Sequence, residues 1–261
     1  MTLKERFLGK GRHNRTETVI ETDMVNEVRQ ALKYQGKEVT DDFLIDTESE
    51  EIKKVCCIPV KEGVKWWNIL AIPLVPCVIM LLTTYVNAQT IFLLRNEDYF
   101  DVSEDKLGGI SSTLVMVGFP GAMLGTFAAG YLFDIVGRRV TLFVAFLMGA
   151  CLLFTIPYTA PDVFPWLIIV RMGITLFLSA PASNPLPADY VHKDHIGKAA
   201  TLIGIGFVIG EVLSMGILFN ITKSFTAYSA FMIVAIIGAV CSTFFLFLVK
   251  EPKLRKTNST G

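Results

Sequence analysis

Six hydrophobic runs, each long enough to cross a lipid bilayer, follow one another between residues 66 and 249. A hydrocarbon core about 30 Å thick requires about 20 apolar residues as a helix, because each residue adds about 1.5 Å. A helix satisfies its own backbone hydrogen bonds, which lipid cannot do. The runs therefore predict an all-α membrane protein with a six-transmembrane-helix bundle, with spans at 66–94, 110–133, 140–158, 163–188, 199–222 and 225–249.

Residues 1–65 form a polar N-terminal region that holds 12 of the 24 basic and 13 of the 24 acidic residues of the chain. Within it, Met24, Val25, Val28, Ala31 and Leu32 recur at helical spacing and predict a short cytoplasmic helix. A regulatory role and a plain solvated tail are both open for this region. A six-helix membrane domain at 66–252 and a cytoplasmic tail at 253–261 complete the predicted organisation.

Lysine and arginine are distributed unevenly between the loops. The loop after the first run holds two basic residues against five acidic ones, whereas the next loop holds Arg138 and Arg139. Lys193 and Lys198 follow the fourth run, and four basic residues follow the sixth (Lys250, Lys253, Arg255, Lys256). The positive-inside rule then predicts an integral, multi-pass membrane protein with both termini in the cytoplasm.

The loop between the second and third runs has the sequence GYLFDIVGRR at residues 130–139. Gly130 would permit close approach of two helices, and Gly137 would permit a tight turn. Arg138 and Arg139 would hold the loop at the cytoplasmic face. Asp134 lies at the membrane boundary, where it can meet a helix N-terminus or an arginine. We expect these residues to connect neighbouring helix ends at the cytoplasmic face.

This segment resembles the loop signature of the major facilitator superfamily, which has a glycine, three residues and an aspartate, then an arginine, any residue, a glycine and two basic residues. Ile135 stands where the arginine is usual, which weakens the charge relay that the resemblance implies. Three further matches support the resemblance: Arg171 with Gly173, Asp189, and Lys250-Glu251-Pro252. It covers about residues 66–252 and implies the N-terminal six-helix half of a transporter, one half of the usual twelve-helix fold. In such a transporter, we expect Asp134 and the loop residues around it to latch the inner gate.

Arg171 and Glu211 are the only charged residues well inside the hydrophobic runs. By helical rise they lie about 12 and 16 Å from the predicted outer ends of their spans. A charge at mid-bilayer is costly, so each requires a partner or water. We predict a structural ion pair between the two, and a role in proton or substrate coupling is the alternative, which can coexist with the pair.

Two groups of polar residues are candidates for a substrate pathway. Thr83, Asn87 and Thr90 form a stripe at i, i+4 and i+7 on the first run. The fourth run carries Ser179, Ser183 and Asn184 beside two prolines. In the family that the chain resembles, helices one and four of this half line the central pathway. The alternative is that these side chains hold helices together by hydrogen bonds.

Transporters of this family normally have two six-helix halves that hold the solute between them near the midplane. One half is present here, so a fragment, an assembly with a second half of the same or a different chain, and a structural role all stay open. We predict a secondary transporter, or half of one, that moves a small solute by alternating access, with a coupled proton as an option. The alternative is a non-transporting membrane subunit or truncated paralogue that uses the fold for assembly.

The sequence contains no nucleophile–base pair, metal-ligand set or phosphate-binding loop, so we expect no enzymatic activity, no cofactor and no metal site. Net charge is zero, and no basic stripe with interleaved aromatic residues favours nucleic acid as a partner. The expected partners are the lipid bilayer, a small solute and a second six-helix half.

Overall fold

The computed structural model describes residues 53–55, 58–61, 63–192 and 195–251. Among these, six helices are long and apolar enough to cross a membrane: α1 (Trp66–Arg95), α2 (Glu104–Ile135), α3 (Arg138–Thr159), α4 (Val163–Tyr190), α5 (Ile196–Thr222) and α6 (Ala227–Leu248). They coincide with the six predicted runs, so the predicted six-helix membrane fold is confirmed. The helix predicted around Met24 to Leu32 lies outside the described residues.

The largest difference from the predicted limits is at the start of α2, which begins at Glu104 and not at Ile110. Its first turn contains Glu104 and Asp105, and acidic residues are favourable there because the amino end of a helix carries partial positive charge. A limit drawn from hydrophobicity misses such a polar turn.

Three of the spans depart from regular α-helix. The last turn of α3 is a 3-10 segment, Ile156–Thr159, and α5 contains a π-helical segment, Leu213–Leu218. The fourth span begins with a π-helical turn, Val163–Leu167, and is interrupted by the 3-10 segment Ala180–Ser183 before it ends in a short helix. Prolines in and beside this interruption lack the backbone N–H that a continuous helix requires.

The helices pack in three close pairs, α1 with α5, α2 with α4 and α3 with α6. Glycines bring the first two pairs together: a Cβ at Gly210 would overlap the carbonyl oxygen of Cys77 in α1, and one at Gly125 would overlap that of Leu176 in α4. Small residues allow this approach of two backbones within a membrane. In the third pair, Phe146 and Phe245 stack with their ring centroids 5.0 Å apart.

Burial is uneven among the helices. In the most apolar part of each span, 61% of the residues of α1 are buried, against 17% in α2 and 22% in α5. The core of the bundle therefore lies around α1, whereas α2 and α5 present broad outer surfaces.

A short antiparallel hairpin precedes α1. Its strands β1 (Lys53–Val55) and β2 (Ile58–Val60) pair with Lys53 opposite Val60. Val60 also forms an antiparallel bridge with Val191, directly after α4. Strands of three residues are too short to show a periodicity, so the sequence did not predict them. The hairpin ties the segment before α1 to the end of α4.

Candidate functional site

Charged side chains from three helices meet at one end of the bundle, where α2, α4 and α6 end and α3 begins. We call this the Gly137 end. Asp134 lies in the last turn of α2 and Arg138 is the first residue of α3. Asp189 lies in the last turn of α4, and Glu251 follows the end of α6.

Arg138 is the centre of this cluster. Its Nε donates to Oδ2 of Asp189 at 3.1 Å, and its Nη1 donates to the Phe133 carbonyl at 2.6 Å and lies 3.3 Å from Oδ1 of Asp134. The Arg138 and Asp189 side chains are only 16% and 20% exposed, whereas that of Asp134 is 77% exposed. Solvent screens an exposed pair more strongly, so the bond to Asp189 is the stronger of the two. Arg138 therefore joins the start of α3 to the end of α4.

Glu251 caps the amino end of α3. Its Oε2 accepts from the backbone N–H of Arg138 at 3.1 Å, and its Oε1 accepts from that of Arg139 at 2.6 Å. The first N–H groups of a helix have no partner within the helix, and the helix dipole favours a carboxylate there. Among the described residues, Nε of Arg139 is buried without a hydrogen-bond partner.

Gly137 fits this arrangement for two reasons. Its φ is 102°, in a region that side chains disfavour, and a Cβ would lie 2.7 Å from Oε1 of Glu251. The predicted tight turn is therefore present. In the sequence analysis, Glu251 was part of the Lys250-Glu251-Pro252 match after the sixth run. Its contact with the start of α3 could not be predicted, because the two segments are far apart in the sequence.

Further hydrogen bonds bind the helix ends on this side to one another. The Tyr190 hydroxyl accepts from the Lys250 N–H at 2.8 Å and donates to the Lys250 carbonyl at 2.9 Å. Lys61 Nζ donates to the Ala188 carbonyl at 2.7 Å, and Asn68 Nδ2 donates to the carbonyl of Leu248, the last residue of α6, at 2.6 Å. The starts of α1 and α3 are thus fastened to the ends of α4 and α6.

A second polar site lies within the spans. The side chain of Arg171 in α4 is buried, at 4% exposure, and its Nη2 donates to Oδ1 of Asn87 in α1. Its Nε and Nη1 have no hydrogen-bond partner among the described residues. Asn87 itself is exposed. Asn87 lies about 12 Å by helical rise from the end of α1, and Arg171 lies about 12 Å from the start of α4. Both of these helix termini are at the end of the bundle opposite to the Gly137 end.

The predicted ion pair between Arg171 and Glu211 is wrong. No salt bridge joins them in the described part of the chain, and Glu211 lies on the exposed surface of α5. Matched depth was not sufficient, because α5 packs against α1 and α4 packs against α2. Helices that are consecutive in the sequence are therefore not the neighbours that share this polar site.

The predicted stripe on α1 is only partly exposed. Asn87 is exposed and Thr83 is half-buried, with its hydroxyl donating to the Ile79 carbonyl of its own helix. Thr90 is buried, at 5% exposure, and its hydroxyl has no hydrogen-bond partner among the described residues. The structure therefore brings Asn87, and not the whole stripe, to Arg171.

The three polar residues predicted on α4 have three different environments. The Ser179 hydroxyl contacts the Ala122 carbonyl of α2 at 3.0 Å, so it lies at a helix interface. Ser183 is exposed, with its hydroxyl donating to its own helix. Asn184 Oδ1 accepts from the Leu186 N–H at 2.7 Å and shapes the turn before the last short helix. Since the Ser179 hydroxyl also lies 3.0 Å from the Leu176 carbonyl of its own helix, all three side chains have local structural partners.

Two features of the loop signature differ from the expectation. Gly130 is exposed and faces open space, so the predicted close helix approach at this glycine is wrong; on α2 that approach occurs at Gly121 and Gly125. Ile135 is 63% exposed. Arg138 reaches both Asp134 and Asp189 without a basic residue at position 135.

The sequence was compared with families and with known proteins. A family model described as Major Facilitator Superfamily matches residues 67–261, which is 195 of the 261 residues. The match begins at the second residue of α1 and includes both polar sites. No curated protein matches the chain.

Proposed function

The chain belongs to the major facilitator superfamily, and on this premise we propose that it is one six-helix half of a transporter that moves a small solute by alternating access. A second six-helix bundle, from the same or a different chain, would complete the pathway. We further propose that the Gly137 end faces the cytoplasm, because the helix ends there carry Arg138, Arg139 and Lys198.

The observation that carries this proposal is the bond from Arg138 to Asp189. It connects the start of α3 with the end of α4 through one charge-assisted contact at the membrane boundary. Such a contact contributes about 1.5–3 kcal/mol, enough to shift a conformational equilibrium about 10- to 100-fold. It is therefore suited to a latch that closes in one state and opens in the other.

Glu211 is our proposal for proton coupling. It is an exposed carboxylate within α5, about 16 Å by helical rise from the end of the span. A charge that faces lipid at this depth is costly, so the side chain is expected to face water or the second bundle. No salt bridge in the described residues holds this carboxylate in place.

The alternative, a non-transporting membrane subunit, follows from the presence of one six-helix half, and the replacement of the signature arginine by Ile135 favours it slightly. The contacts of Arg138 weaken that argument, because this arginine links Asp134 and Asp189 without a side chain from position 135. The same contacts support the transporter.

The proposal is tested with the purified chain in liposomes and in nanodiscs. We expect saturable uptake of at least one solute from a panel of labelled organic acids, sugars and amines, and a mass that corresponds to two bundles. Absence of uptake for the whole panel, together with a single-bundle mass, would contradict it.

The latch is tested with Asp189→Asn. This change removes the charge of the less exposed of the two carboxylate partners of Arg138, so turnover is expected to change about 10- to 100-fold with little change in KM. Glu104→Gln is the matched control, because Glu104 forms a 2.7 Å ion pair with Arg95 whose side chains are both highly exposed. A loss of affinity at unchanged turnover in Asp189→Asn would contradict the latch.

A further inference from the structure

We propose that Arg171 and Asn87 form a binding site for a carboxylate, and that the transported solute is an organic acid. This inference rests on the proposed function, because it takes the site to lie in the transport path. It adds the chemical class of the solute.

The charge of Arg171 is not compensated within the part of the chain that the structure describes. Its side chain is 4% exposed, and the partner it has, Asn87, is neutral. The salt bridges in the described residues involve Arg95 and Arg138, and none involves Arg171. A buried guanidinium without a counter-charge attracts an anion, because a low-dielectric surrounding strengthens the interaction between them.

The free polar groups at this site are hydrogen-bond donors. Nε and Nη1 of Arg171 have no partner in the described part of the chain. Since Oδ1 of Asn87 already accepts from Nη2 of Arg171, the amide nitrogen of Asn87 remains for a ligand. A positive charge with several N–H donors matches a group that only accepts hydrogen bonds and is negatively charged, which describes a carboxylate.

Asn87 extends the site to the surface of the bundle. That residue is exposed on α1, whereas Arg171, to which it is hydrogen-bonded, is buried. Both lie well inside their spans, about 12 Å from the end by helical rise. A solute that contacts Asn87 is thus within the reach of one side chain of the buried charge.

The test measures the binding of carboxylates to the full chain in nanodiscs, and the readout is the melting temperature of the protein. The probes are acetate, lactate, succinate and benzoate, and the controls are acetamide, lactamide, succinamide, benzamide and sodium chloride at matched ionic strength. We expect at least one carboxylate to raise the melting temperature saturably, while its amide and chloride do not. If no carboxylate does so, or if the amides act equally, the inference is wrong.

Two variants locate the site. Arg171→Gln removes the charge and is expected to abolish the carboxylate effect, whereas Arg95→Gln, at the exposed ion pair, retains it. Asn87→Asp keeps Arg171 in place and supplies a fixed competing carboxylate, so the apparent Kd should rise at least about tenfold. A folded Asn87→Asp protein that binds the carboxylate as tightly as the unmodified chain would overturn the assignment.

Uptake by liposomes separates this inference from the proposed function. Binding of a carboxylate without its uptake would contradict transport while leaving the site in place. Uptake of a neutral or cationic solute at equal rates in the unmodified and Arg171→Gln proteins would overturn the organic-acid assignment and leave the transporter in place.

Discussion

Replacement of Arg171 by methionine is expected to leave the chain equally stable or to stabilise it. Among the scales for inserting an arginine at the centre of a membrane helix, the one with the smallest cost gives about 2.5–3.5 kcal/mol. A hydrogen bond that involves a charged group contributes about 1.5–3 kcal/mol, and within the described residues the Arg171 side chain makes one such bond, to Asn87. The remaining cost is about 0–2 kcal/mol, which Arg171→Met removes.

An ion pair would reverse the sign of this effect. Had Arg171 been paired with a buried carboxylate, its removal would destabilise the chain by about 3–5 kcal/mol, because an uncompensated charge would remain. Glu211 is exposed and makes no salt bridge with Arg171. We therefore expect the effects of Arg171→Met and Glu211→Gln to add to within about 0.5 kcal/mol in the double variant.

The free energy of unfolding is measured in mixed micelles by the fluorescence of the three tryptophans of the chain. Arg95→Met serves as the control, since it breaks an exposed ion pair with Glu104 that contributes about 0–1 kcal/mol. A loss of about 3 kcal/mol in Arg171→Met, recovered in the double variant, would refute the reasoning and restore the ion pair.

Two further predictions concern orientation and packing. In a cysteine-free background, Ser103→Cys should react with an impermeant reagent from outside intact cells and Gly197→Cys should not; labelling of Gly197→Cys from outside would reverse the proposed orientation. Gly210→Val should destabilise the bundle by about 1–3 kcal/mol or more, because its side chain would overlap the Cys77 carbonyl of α1, whereas Gly204→Val meets open space. Equal unfolding free energies for these two variants would show that α5 does not pack on α1 through this face.

The candidate sites were predictable only in part. The loop signature identified Asp134, Gly137 and Arg138 because these residues are close in the sequence and share one turn. Glu251 lies 113 residues from Arg138, and the sequence does not show that its carboxylate caps α3. Likewise, the helical period grouped Thr90 with Asn87, although the bundle buries one and exposes the other.

The sequence by itself determined the number of spans and their approximate limits, because a bilayer sets the length of a hydrophobic helix and forces it to satisfy its own backbone. Only the tertiary structure decided which helices are neighbours, since helices in lipid associate through small residues and local fit, and not through their order in the chain. Gly206 and Gly210 seat α5 on α1, so Glu211 remains on the outer surface. Among the described residues, the guanidinium of Arg171 forms a hydrogen bond to Asn87 only. That choice of neighbours replaced the predicted ion pair with a buried positive charge that has no counter-charge in the described residues.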